Sequence, residues 1–142
     1  SHCFLCSWNR RKTLFALADE LGCNKIALGH HRDDMLETLL MNQIFQGTFA
    51  SMPPTLTMDK FAMTIIRPLA NVRERDLQLL AEQRNYRKQV KNCPYEHESN
   101  RSDVRRILET MERLNPHAAS SLWNSMSHVQ TQYLPPTIKK ND

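Results

Sequence analysis

Five side chains crowded into one short stretch have the types and spacing for chemistry. His30, His31, Asp33, Asp34 and Glu37 follow directly on the apolar run Ile26-Ala27-Leu28 and on Gly29. From Asp33 onward Met35, Leu36, Leu39, Leu40 and Ile44 recur at helical spacing. Two imidazoles and three carboxylates therefore stand where a strand hands over to a helix. In open α/β sheets ligands bind at the carboxyl ends of strands, and a helix N-terminus adds N–H donors and partial positive charge. Asp33 and Glu37, four residues apart, share one helix face. Such acids can hold Mg²⁺ or a water beside a nucleotide. They can equally do no more than offset the dipole of the helix they open.

Thiols form a second group. Cys3-Phe4-Leu5-Cys6 opens the chain, and Cys93 lies in a polar, proline-containing stretch near His97. Three thiolates can carry an iron–sulfur cluster with one iron left open. Cys3, Cys6, Cys93 and His97 also make a Cys₃His zinc set, and a lone CxxC can be a redox pair. Cys23, just after Gly22, reads as a buried structural thiol. Cations form the third group. Arg10, Arg11 and Lys12 fall near a helix start, where positive charge opposes the dipole, so they either anchor an anion or are simply solvated. Arg84, Arg87, Lys88 and Lys91, with no acid among them, suit an RNA backbone or a solvated face.

These groups need elements to place them. The pattern predicts a helix from about Arg10 to Leu21, with Leu14, Leu17, Ala18 and Leu21 on one face, stopped by Gly22. A buried strand over 25–28, a helix from Asp33 to about Phe45 closed by Gly47, and a break at Met52-Pro53-Pro54 follow. Strands are expected over 55–58 and 61–66, then a helix from Glu74 to Gln83 with Leu77, Leu80 and Ala81 inward. Helices over 102–114 and 116–129 and a disordered tail over 139–142 complete the chain. The sheet so obtained is short of strands and leaves bare edges.

Composition narrows the classes. Three glycines in 142 residues leave no room for a glycine-rich phosphate loop. No apolar run is long enough to span a membrane and no secretory signal is visible, so a cytoplasmic protein without a membrane partner is expected. The net charge of +4 leans mildly toward an anionic partner.

Taken in order, the motifs are Cys3-x-x-Cys6-Ser7, Arg10-Arg11, Gly29-His30-His31-x-Asp33-Asp34-x-x-Glu37-Thr38, Met52-Pro53-Pro54, Ile66-Arg67-Pro68-Leu69, and Cys93 followed by Arg101. The combination resembles the tRNA 2-thiocytidine synthetase branch of the PP-loop ATP pyrophosphatases, nearly throughout up to about Met126. The resemblance implies an α/β fold: part of an adenine-nucleotide alpha-hydrolase-like (Rossmann-like) sheet with a mostly helical C-terminal region. It implies a nucleotide-binding portion over 1–72, a helical region carrying the third cysteine over 73–134, and a tail over 135–142. It further implies an enzyme that uses ATP and Mg²⁺ to adenylate the C2 oxygen of a cytidine in the tRNA anticodon loop, with sulfur then supplied through a 4Fe-4S cluster. On this resemblance Asp33, Asp34 and Glu37 are catalytic, Gly29, His30 and Arg67 bind nucleotide, and Cys3, Cys6 and Cys93 hold the cluster. Arg10, Arg11, Arg87 and Lys88 contact RNA. The partners implied are tRNA, ATP and a sulfur donor. The family's SGGxDS loop does not occur in the chain, which implies a C-terminal piece of such an enzyme, inactive alone and pairing its bare strand edge as a homodimer. The competing expectation is a non-catalytic, zinc-stapled RNA-binding module.

Overall fold

A computed structural model describes residues 2–59, 62–88 and 100–136, with the side chains of residues 2–4 outside the description. Helix α1, His2–Glu20, starts well before the expected Arg10. The first nine residues hold no proline or glycine, and a CxxC spacing fits one helical turn as readily as a loop. The helix closes in a Schellman arrangement. Gly22 takes a left-handed φ of 65°, with Cys23 N–H donating to Ala18 O at 2.8 Å and Gly22 N–H to Asp19 O at 3.0 Å.

Strand β1, Lys25–Ala27, leads into α2, Arg32–Met41, which continues as one π-helical turn, Asn42–Gln46, before Gly47 ends it at a φ of 60°. Strands β2, Thr55–Thr57, and β3, Thr64–Ile66, form the expected antiparallel pair. β3 is central: it runs parallel to β1 with Ile26 opposite Ile65, and antiparallel to β2 with Leu56 opposite Ile65. Helices α3, Glu74–Gln83, α4, Asn100–Leu114, and α5, Ala118–Ser125, follow. α5 is shorter than the expected 116–129 span, because Pro116 and His117 form the turn into it and a hydrogen-bonded turn at 126–127 follows Ser125. No described helix is long and apolar enough to cross a membrane.

The core sits between α2, α4 and α5. Leu36, Leu40, Val104, Leu108 and Ala119 are buried together, with Met111, Leu122 and Trp123 packed against them. Each of the buried leucines and Val104 contributes roughly 1.5–3 kcal/mol by leaving water. α2 precedes position 72 and the other two helices follow it, so one core spans both expected portions.

Several expectations about burial fail. β1 is not a buried strand: Lys25 and Ala27 are exposed and Ile26 is half-buried, because among the described residues β1 is an edge strand paired only to β3. Among the described side chains of α1 only Ala18 is buried, while Leu14 and Leu17, and Leu21 just beyond the helix, face solvent, since among the described elements α1 rests chiefly on β1. Cys23, in the turn beyond that helix, is exposed and not the buried thiol expected. On α3 Leu80 is exposed and Leu77 and Ala81 only half-covered. The expected tail over 139–142 and the 61 end of the second strand lie outside the described residues.

Candidate functional site

The site is built on the carboxyl ends of two parallel neighbours. Leu28 N–H donates to Ile66 O at 2.9 Å, extending the β1–β3 ladder to its last residues. Immediately beyond lie Gly29 and His30 on one strand and Arg67 on the other. A Cβ added at Gly29 would meet nothing within 4 Å, so the approach to this edge is open.

Helix α2 starts here because His31 caps it. The Asp34 N–H donates to His31 Nδ1 at 3.4 Å, and His31 N–H donates to Asp34 Oδ2 at 3.0 Å, a reciprocal capping box. Accepting at Nδ1 leaves the ring proton on Nε2, which lies 3.4 Å from Asp34 Oδ2.

The three acids have different surroundings. Asp33 is buried and fully engaged: Arg73 Nε donates to both its oxygens at 3.0 and 3.1 Å, and Glu74 N–H donates to Oδ2 at 2.7 Å. Burial alone would raise its pKa, but the hydrogen bonds from Arg73 and Glu74 and the Arg73 charge outweigh that and hold it below the usual carboxylate range. Its carboxylate thus caps the N-terminus of α3, and Arg73 carries the link on to Glu112 at 2.9 Å. Asp34 lies on the other side, with Oδ1 3.2 Å from Arg101 Nη1 and part of its carboxylate accessible. Glu37 is 1% exposed, accepts from Arg105 Nε at 2.8 Å through Oε1, and has no hydrogen bond on Oε2. Arg105 also pairs with Glu74 at 3.3 Å.

Arg67 stands apart. Its residue is 8% exposed, Nη1 donates to Pro53 O at 2.5 Å, and Nε has no partner. The main chain is tied to the same segment, Arg67 N–H donating to Pro54 O at 2.8 Å. No carboxylate among the described residues pairs with it, and burial lowers its pKa. Beside it, His30 has a buried Nδ1 without a partner. Burial, above all, lowers the His30 pKa; Asp34 opposes this, while Arg67, Arg101 and His31 add to it. A buried cation costs free energy unless an anion compensates it. Arg67 and a neutral His30 therefore offer a guanidinium and an imidazole to an anionic ligand at a strand end.

Among the described residues no three His, Cys, Asp or Glu side chains converge as a metal site. Mg²⁺ does not require three: it binds through one or two carboxylates plus substrate phosphates. Asp34, with the orphaned Glu37 Oε2 one turn on, fits that pattern, whereas the Asp33 oxygens are already taken. Cys6 is exposed and not in a disulfide, on α1. The side chain of Cys3, and all of Cys93 and His97, lie outside the described residues. Arg10 and Arg11 are exposed on α1, and Arg87 and Lys88 are exposed after α3.

A profile described as a PP-loop domain matches residues 8–111. The chain belongs to the PP-loop family. It is 42% identical over 136 residues to the tRNA-cytidine(32) 2-sulfurtransferase of Syntrophotalea carbinolica, covering 94% of this chain and 52% of that protein. With the protein of the same name from Verminephrobacter eiseniae it shares 42% identity over 133 residues, 93% of this chain and 42% of the relative. The U34-tRNA thiolase NcsA from Methanococcus maripaludis, solved with its 4Fe-4S cluster, superposes with a TM-score of 0.72 at 28% identity, covering 96% of this chain and 46% of that one. The PP-loop chain thus spans about half the length of the curated relatives it matches.

Within this PP-loop site, sequence motifs pointed to the turn but missed the cations that organise it. Arg73, Arg105 and Glu112 carried no signal of their own, and Arg101 entered only as part of a spacing. One pattern was available: Arg105 on the helix predicted over 102–114 and Arg101 just before it are four apart, matching Asp34 and Glu37, three apart on another. Sequence periodicity alone gives no means to pair those two faces.

Proposed function

We propose that this chain forms one wall of the nucleotide site of an ATP-dependent tRNA-thiolating enzyme, which adenylates the C2 oxygen of an anticodon-loop cytidine before sulfur is introduced there. The observation that carries this reading is Arg67: a buried guanidinium without a counter-anion among the described residues, beside an unpartnered imidazole, at the carboxyl end of a parallel strand. An ATP phosphate supplies the missing charge. The family match and the names of the relatives support the rest.

In this reading Arg67 and His30 orient phosphate oxygens, and the open edge at Gly29 lets the nucleotide approach the backbone. Asp34, with Glu37 behind it, holds the Mg²⁺ that neutralises phosphate charge. Asp33 acts through Arg73, keeping α3 and α4 in register with the turn, and does not touch the nucleotide. Cys3, Cys6 and Cys93 hold the 4Fe-4S cluster, which supplies the sulfur chemistry. Arg10, Arg11, Arg87 and Lys88 engage the phosphates of tRNA, so their removal weakens binding and flattens its salt dependence.

Anaerobic purification of the protein that carries this chain, followed by reaction with unmodified tRNA, ATP and sulfide, tests the proposal. The expected outcome is a brown protein with iron and labile sulfide that forms 2-thiocytidine only with ATP. A colourless protein with stoichiometric zinc that binds tRNA and leaves it unmodified would refute it.

A further inference from the structure

Two carboxylates of α2 face two guanidiniums of α4. Asp34 and Glu37 lie three residues apart on one helix, and Arg101 and Arg105 four apart on the other. The inner rung, Glu37 to Arg105 at 2.8 Å, rests on a carboxylate that is 1% exposed. The outer rung, Asp34 to Arg101 at 3.2 Å, is open: the Arg101 side chain is 43% exposed and that of Asp34 17%. Arg101 also lies 3.6 Å from Glu37 Oε2, the oxygen that has no hydrogen bond. One guanidinium therefore sits against both carboxylate oxygens that remain available to a cation. Its position in the first turn of α4 opposes the helix dipole, and the acids of α2 offset that cost.

We propose that Arg101 is a positioning residue that serves as the resident counter-ion of Asp34 and Glu37, and that a divalent cation bound with nucleotide must displace it from them. The proposal rests on the assignment of Asp34 to the nucleotide-bound metal. Displacement breaks only an exposed rung, since Arg105 keeps α4 anchored through the buried one. Arg101 therefore weakens cation binding by competing for the same oxygens, and it keeps the two acids from repelling each other while the site is empty. A merely structural arginine would have the opposite effect: its loss would loosen the acids and weaken cation binding.

Mn²⁺ is the probe, titrated by electron paramagnetic resonance into the protein in the presence of a non-hydrolysable ATP analogue. Arg101→Ala should bind Mn²⁺ about tenfold more tightly than the parent, the order expected when a unit positive charge is removed a few ångströms from a partly exposed carboxylate. Arg101→Lys should fall between, because an ammonium keeps the unit charge but lacks the rigid, planar guanidinium that holds Nη1 against both acids. Far-ultraviolet circular dichroism should show the same helix content in all variants. Unchanged or weaker Mn²⁺ binding by Arg101→Ala would overturn the proposal. Asp34→Asn separates this failure from that of the underlying assignment: Mn²⁺ binding that survives in Asp34→Asn at parental strength removes Asp34 from the metal site, and the role of Arg101 with it.

Discussion

Helices α1 and α2 carry apolar residues at the same helical spacing, yet they differ in what covers them. In α2 Met35, Leu36 and Leu39 are 0% exposed, and two carboxylates are buried beside them with arginine partners. In α1 Leu5 and Leu17 are 59% and 47% exposed, and among its described side chains Ala18 alone is buried. Apolar periodicity says which face of a helix seeks cover; a neighbouring element must then supply it. The chemistry divides in the same way. Asp33 and Glu37 on α2 are locked by arginines at α3 and on α4, whereas Cys6 is exposed on α1, a helix that among the described elements is held chiefly by β1.

The sharpest way to test this contrast is to truncate one leucine in each helix. Leu36→Ala should cost roughly 2–5 kcal/mol by opening a cavity, whereas Leu17→Ala should cost no more than about 0.5 kcal/mol. Urea unfolding measures both, and equal costs would erase the distinction. The ion pairs come next. Arg73→Ala strands the buried Asp33 and should cost roughly 2–4 kcal/mol, against about 0.5 kcal/mol or less for Arg106→Ala, whose pair with Asp103 is exposed.

Arg67 is the exception on the well-packed side. The nearby acids have cations, and among the described residues this cation has no acid. Arg67→Met should therefore leave stability unchanged or raise it by about 1 kcal/mol while removing ATP binding. Calorimetry with ATP, alongside thermal unfolding, checks both halves. Retained ATP binding would leave the buried charge without the role proposed for it.

The smallest effect is on pH. The His30 pKa lies below its ordinary 6.5, so its contribution to stability is complete above that pH and is lost as pH falls through the lowered value. Asp33 lies below its ordinary 3.8, so its contribution is likewise present above that pH and lost on further acidification. Both make acid destabilising. The melting temperature should decline slightly below pH 6.5 and more steeply in the carboxylate range, with His30→Gln flattening the first limb and Asp33→Asn the second.

Much of the architecture was legible in the sequence. Glycines at 22 and 47, the Pro53-Pro54 break and the change from apolar run to helical spacing after Gly29 placed the turn and its flanking elements. These are local signals, and local backbone chemistry decides them. Burial was less legible. The Lys25–Leu28 run reads as a buried strand, but an edge position leaves β1 exposed, and Cys23 is exposed for a related reason. Within the site, residue types marked Asp33, Asp34 and Glu37 as alike. Their distinct surroundings come from Arg73, Arg101 and Arg105, each at least 40 positions away in sequence from the acid it pairs with. The expected cluster ligands Cys3 and Cys93 lie beyond what the described side chains address.

The central claim is that the strand-to-helix turn at 29–38 is a nucleotide half-site in which Asp34 faces the reacting phosphates. The direct measurement is ATP-dependent formation of 2-thiocytidine in tRNA by Asp34→Ala, with its unfolding curve recorded in parallel. Loss of the product with the unfolding transition retained is the expected result. Thiolation at the parental rate would contradict the role of the turn.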